Sequence, residues 1–218
     1  RDLSGKLACK RALQIETGLQ RSDDAPLMAV VSRLSHQKGL DLLLSCAPHW
    51  LQAGGQIALL GSGDGTLEAD WMQAAREHPD RISVHIGYDE PRAHRVVAGA
   101  DLIGVPSRFE PCGLTQLYGL RYGTLPLVHR VGGLADTVVD ADDAAIKADR
   151  ATGFGFTGAH QDALIDAMNR ALALWPKRPT WERVMRRAMA QESSWIEPAT
   201  RYGELYAALA QEALPAMR

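Results

Sequence analysis

The chain has 218 residues, 46% of them hydrophobic and 23% charged, with a formal net charge of −2. That length carries one large domain with a sizeable buried core, and the composition is ordinary for a globular protein. Basic and acidic residues are interspersed, which excludes an electrostatic footprint for nucleic acid and a polybasic patch for a membrane. Basic residues that matter therefore act locally, on a small anionic ligand. The three cysteines, Cys9, Cys46 and Cys112, lack metal-ligand spacing, and so sparse and odd a set points to a reducing, cytoplasmic compartment rather than a disulfide framework. No apolar run approaches the roughly 20 residues that span a bilayer. The opening Arg1-Asp2-Leu3-Ser4 carries no signal-peptide core. It begins without Met on a helix-like stretch and reads as a piece of a longer protein.

In chain order, short aliphatic runs predict strands over Leu27–Val31, Gln56–Leu60, Arg81–Ile86, Asp101–Val105, Leu125–His129 and Gly153–Phe156. Between them, helical periodicity marks Leu40–Gln52, Leu67–Glu77, Arg92–Ala98 and Leu114–Tyr122. Near-continuous apolar strands alternating with helices predict a parallel sheet covered on both faces, that is, a doubly wound, Rossmann-like α/β fold. Glycines mark the strand exits (Gly61 and Gly63, Gly87, Gly132 and Gly133), where open α/β sheets bind ligands. After Gly158 the pattern turns helical, over Asp162–Trp175, Trp181–Ala190 and Pro198–Ala213. From Trp195 onward, Ala199, Tyr202, Leu205, Tyr206 and Leu209 recur at helical spacing and form one apolar stripe that calls for a partner.

The segment Pro106-Ser107-Arg108-Phe109-Glu110-Pro111-Cys112-Gly113-Leu114-Thr115-Gln116 leaves a strand and opens a helix. Gly113, Leu114 and Thr115 are expected on the first helical turn, where free N–H groups and the positive helix end suit a phosphate. Glu110, just upstream, would lie beside whatever hangs from that phosphate; equally, it could cap the helix. A second strand exit, Ser32-Arg33-Leu34-Ser35-His36-Gln37-Lys38-Gly39-Leu40-Asp41, brings Arg33 and Lys38 to one turn. Two cations there fit a departing diphosphate, on which negative charge grows; the alternative is a pair of solvated surface residues. Gly61-Ser62-Gly63-Asp64 is a weak signal that permits a tight turn near a nucleotide. At Gly87-Tyr88 an aromatic can stack on a base or simply pack at the rim. Arg130-Val131-Gly132-Gly133-Leu134 offers a close, Cβ-free approach to the cleft. The seven histidines show no metal spacing, and only His36 adjoins a candidate site.

These residues carry a resemblance. Segment 32–41 resembles the Lys-Gly phosphate loop of bacterial and plant glycogen/starch synthases. Segment 106–126 (Pro-Ser-Arg-Phe-Glu-Pro-Cys-Gly-Leu-Thr-Gln-Leu-Tyr-Gly-Leu-Arg-Tyr-Gly-Thr-Leu-Pro) is similar to the same family, and 132–138, 152–156 and 194–195 follow in its order. The resemblance implies the C-terminal half of a retaining GT-B glycosyltransferase: residues 1–192 binding ADP-glucose, and a C-terminal helix at 193–218 returning toward an N-terminal domain that holds the acceptor site. It implies transfer of glucose from ADP-glucose to an α-1,4-glucan, with this chain alone inactive, and no cofactor beyond the donor. Arg33 and Lys38 would hold the diphosphate, and Glu110 the glucose hydroxyls. Amides at Cys112, Gly113, Leu114 and Thr115 would serve the sugar and distal phosphate, and Gly87 and Tyr88 the adenine. No metal ligand is assigned, since the cations and the helix end neutralise the diphosphate. Tyr118 stands where many retaining relatives carry a second Glu, which fits the bacterial synthase subgroup, and Val131 departs from an expected Thr. The competing readings are a transferase of the same fold using a UDP-sugar and a non-catalytic nucleotide-binding module.

Overall fold

Aliphatic runs too short for helices, bounded by glycine and polar turns, form the sheet of the computed structural model, which describes residues 3–213. Arg1, Asp2 and residues 214–218 of the expected C-terminal segment lie outside the described residues. Six strands, β1 (Leu27–Val31), β2 (Gln56–Gly61), β3 (Ile82–Ile86), β4 (Leu102–Val105), β5 (Leu125–His129) and β6 (Phe154–Phe156), pair in the order β3-β2-β1-β4-β5-β6. Every pairing is parallel. The helices are α1 (Lys6–Thr17), α2 (Leu40–Gln52), α3 (Gly65–Glu77), α4 (Glu90–Gly99), α5 (Thr115–Tyr122), α6 (Gly132–Thr137), α7 (Asp143–Lys147), α8 (Gln161–Leu174), α9 (Arg178–Met189) and α10 (Ile196–Ala213). The doubly wound, Rossmann-like α/β fold expected from the sequence is the one observed.

Alternation along β1 divides the core in two. Met28 and Val30 face a layer containing Trp50, Trp71, Leu164 and Trp181, whereas Leu27 and Ala29 face Leu13, Val96 and Val97. Both sets are removed from water, which is why β1 reads as an unbroken apolar run. Helices α3 and α4 begin a little before their apolar patterns because carboxylates cap them. The Asp64 side chain accepts from the Thr66 and Leu67 amides, and that of Asp89 from the Arg92 amide. On α1, buried Lys10 pairs with Asp101 at 2.8 Å and donates to the carbonyls of Asp23 and Ala25 at 3.1 and 2.6 Å. Since Asp101 also accepts from the Leu27 amide at 2.9 Å, this ion pair pins α1 to the starts of β1 and β4. At the other end of the chain, α10 leaves its apolar stripe uncovered: Trp195, Tyr202, Leu205, Tyr206 and Leu209 are all more than half exposed.

Candidate nucleotide-sugar site

The chain winds outward in both directions from β1 and β4, which lie side by side in the sheet. At such a switch point the two strand exits diverge and leave a crevice. The loop after β1 and the loop after β4 line it, flanked by the turns after β2, β3 and β5.

In the first loop, residues His36–Lys38 form a short 3-10 turn that ends at Gly39, with φ at +69°. A Cβ on Gly39 would stand 2.1 Å from the Pro106 carbonyl oxygen. Only glycine meets both the left-handed backbone and this contact with the second loop. Lys38 then reaches across, its Nζ donating to Glu110 Oε2 at 2.5 Å. Ser107 Oγ donates to the same oxygen at 3.1 Å. Glu110 is buried, and among the described residues no side chain caps α5. Of the two sequence-based readings of Glu110, the capping one is therefore excluded: its carboxylate faces Lys38 in the crevice. Lys38 is half-buried rather than a solvated surface group, while Arg33 is exposed and has no ion-pair partner among the described residues.

Two hollows open side by side, sharing Val31 and Ser32. The smaller, about 60 Å³, is lined by Lys38, Ser107, Glu110, Gly113, Thr115 and Gln116. The larger, about 250 Å³, is lined by Arg33, Gly61, Ser62, Gly87, Tyr88 and Asp89. Gly87 adopts a φ of +139°, and Tyr88 beyond it is 88% exposed, so its ring stands as a free platform rather than packed at the rim. The structure thus brings Lys38, Glu110, Gly113, Leu114 and Thr115 to one hollow, and Arg33, Gly87 and Tyr88 to its neighbour. Cys112 lies exposed on the second loop, outside both linings.

Two expectations need correction. Gly113 and Leu114 do not lie on the first turn of α5, which begins at Thr115; Gly113 has a left-handed φ of +74° and Leu114 is the N-cap. Glycine's conformational freedom ends the loop one residue before the helix starts. Nor does the Gly132-Gly133 pair approach an open cleft. Cβ atoms there would each lie 2.2 Å from a carbonyl oxygen, of Glu110 and Cys112 respectively, and the Gly133 amide donates to Glu110 and Pro111, both at 3.1 Å. The pair is a backbone-on-backbone support for the loop carrying Glu110.

Sequence reasoning also missed the side chains that hold the loops. Buried Gln116 donates through Nε2 to the carbonyls of Cys112 and Gly113 at 3.0 and 2.9 Å and meets Thr137 Oγ1 at 3.2 Å, leaving its own Oε1 without a partner. These bonds give the loop carbonyls partners beside the uncapped start of α5, whose free N–H groups suit an anion. Arg108 grips Asp41 through two bonds of 2.7 Å, and its guanidinium holds the Asp41 carboxyl below the usual carboxylate range. Among the described residues, no cluster of three or more His, Cys, Asp or Glu could hold a metal ion.

A parallel doubly wound sheet whose strand exits gather cations, glycine turns and a buried carboxylate defines an α/β domain with a ligand crevice at its topological switch point. Comparison with known proteins narrows this. The family described as glycosyl transferases group 1 matches residues 14–187, and the chain belongs to it. A glycogen synthase of Mannheimia succiniciproducens is 53% identical over 206 residues, which cover 94% of this chain and 43% of that protein. The catalytic domain of starch synthase IV from Arabidopsis thaliana, described as bound to ADP and acarbose, superposes with a TM-score of 0.87 at 36% identity, over 94% of this chain and 43% of that one. A C-terminal domain of a group 1 glycosyl transferase from Francisella tularensis shares the fold alone, with a TM-score of 0.64 at 13% identity, over 83% of this chain and 89% of that one. The chain therefore spans under half the length of its more similar relatives, and its fold is that of the C-terminal half of a GT-B glycosyltransferase. No described helix is long and apolar enough to cross a membrane.

Proposed function

We propose that this chain binds ADP-glucose and, within a longer protein, serves to extend an α-1,4-glucan by retaining glucosyl transfer, the activity of a glycogen synthase. The observation that carries the reading is the Lys38–Glu110 pair at the switch point, between the uncapped start of α5 and the hollow under Tyr88. Likeness to a glycogen synthase, and to a starch synthase bound to ADP, supports the choice of donor. Lys38, Arg33 and the amides of Gly113, Leu114 and Thr115 receive the diphosphate, and Tyr88 with Gly87 receives the adenine. As the glucose–phosphate bond breaks, negative charge grows on the leaving diphosphate, and cations already fixed in place stabilise it without reorganising. Glu110 accepts hydrogen bonds from glucose hydroxyls and so orients the reacting carbon. The leaving phosphate takes the proton of the acceptor hydroxyl on the same face, which retains configuration.

The glucan site belongs, in this reading, to the remaining part of the longer protein, and the exposed stripe of α10 packs against that part. Three free thiols accord with a reducing, cytoplasmic setting. Isothermal titration of this chain with ADP and UDP tests the proposal. Binding of ADP, tighter than of UDP and weakened by Arg33→Ala or Lys38→Ala, is expected, with no glucose transferred to glycogen by the chain alone. Preference for UDP would replace the donor assignment, and absence of binding to either would overturn the reading.

A further inference from the structure

We infer that Arg108 and Asp41 form a clasp that sets the spacing of the two ligand loops, which makes both of them positioning residues for the site; the inference rests on the function proposed above. Neither side chain lines either hollow, so neither is placed to touch a ligand there. What they touch is the seam between the loops. Arg108 Nη1 and Nη2 donate to Asp41 Oδ1 and Oδ2, each at 2.7 Å, and Nη1 also donates to the His36 carbonyl at 2.6 Å. The Arg108 amide donates to the Gln37 carbonyl at 2.8 Å, and Gln37 Nε2 returns a bond to the Phe109 carbonyl at 3.2 Å.

These bonds bracket the two groups that matter. His36 and Gln37 immediately precede Lys38, Asp41 follows it on the first turn of α2, and Arg108 stands two residues before Glu110. Within its own loop the Lys38 amide donates to the Ser35 carbonyl at 3.0 Å. A salt bridge between side chains 24% and 38% exposed would ordinarily contribute little. This one differs in geometry: it is a two-pronged fork on a carboxylate, anchored to backbone at both ends. Lysine offers a point charge without that fork and cannot replace it. The clasp also neutralises the Asp41 carboxylate, three residues from Lys38.

The test uses ADP as the probe, with calorimetry on the chain and on Arg108→Lys, Arg108→Gln, Asp41→Asn, the Arg108→Gln/Asp41→Asn pair and the exchanged pair Arg108→Asp/Asp41→Arg. Backbone hydrogen exchange over residues 36–39 is followed in each, together with thermal unfolding. Each single variant is expected to lose about tenfold in ADP affinity, with the double variant no worse than either single one, as coupled residues require. The exchanged pair recovers part of the loss, and residues 36–39 exchange faster in the single variants. Parental affinity in the single variants, additive losses in the double variant, or losses that merely track unfolding temperature would overturn the clasp. Should the parent chain itself bind no ADP, the proposed function falls on its own account. The clasp is then judged by exchange alone: unchanged protection of residues 36–39 overturns it, and faster exchange supports it.

Discussion

Replacing Glu110 with Gln should tighten ADP binding, although the proposed function assigns the residue to the sugar end of the site. Its carboxylate lies 2.5 Å from Lys38 Nζ, with the two side chains 10% and 20% exposed, so it occupies the cation that a diphosphate needs. An ADP oxygen arriving at Lys38 must share that ammonium and endure the carboxylate nearby. Two unit charges about 5 Å apart repel by about 3 kcal/mol at an effective dielectric near 20, and by about 0.8 kcal/mol in bulk water. The crevice is open on one side, so the lower part of that range applies: about 1 kcal/mol, or about fivefold in Kd. The amide introduced by Glu110→Gln keeps an acceptor for Ser107 but carries no charge, which frees Lys38 for the ligand. Isothermal titration of the parent and of Glu110→Gln at low and at physiological salt measures the gain, which should shrink as salt rises. In the longer protein the same variant should lose turnover with ADP-glucose. ADP affinity unchanged or weakened by Glu110→Gln would refute the electrostatic argument.

Tyr88→Ala should weaken ADP binding by about 1–3 kcal/mol, the usual worth of a base–aromatic stack, while leaving unfolding unchanged because the ring is 88% exposed; calorimetry beside a thermal melt checks both halves. Removing the residues after Glu192 should cost under about 1 kcal/mol, a shift of a few degrees in Tm, and should reduce self-association in light scattering, because the stripe of α10 is uncovered; loss of the cooperative transition would show that the helix is part of the core. Burial lowers the Lys6 ammonium from 10.5 to about 8, with Asp101 and Cys9 opposing the shift and Lys10 adding to it. Between those values the unfolded chain holds a proton that the folded one has shed, so stability rises with pH across that window, and below about 8 the penalty is fully present. Lys6→Met should therefore be relatively more stable at neutral pH than in alkali, and a difference in Tm that stays constant across the window would contradict this.

Much of the fold was legible because periodicity encodes it. Each strand is a short apolar run with turn residues at its ends, and the observed bounds differ from the expected ones by a residue at most. Helix α6 was not legible: two of its six residues are glycines, poor helix formers, and it is braced from outside through the Gly133 amide on Glu110 and Pro111. The five-residue α7, capped by Asp142 on the Ala145 amide, is too short for a period to show. At the site, Arg33, Lys38 and Glu110 could be singled out because each sits at a strand exit beside glycine or a helix start. Their pairing could not, since Lys38 and Glu110 are 72 residues apart and meet only once β4 lies against β1. Arg108, Asp41 and Gln37 gave no local signal at all, because their roles exist only in the seam between loops; nor did Gln116, whose role is to hold its own loop and meet Thr137.

That separation bears on how the chain comes to have a site. Between the two halves of the crevice the chain must complete β2 and β3 on one edge of β1, then return and close β4 onto the other edge. Closing so long an excursion is an entropic cost met before any contact across the seam rewards it. A chain halted short of β4 holds the cations but has no carboxylate, clasp or helix start to complete them. Under the function proposed above, nucleotide binds only the finished state and stabilises it by mass action. In that reading, occupancy by nucleotide reports that β4 has closed onto β1.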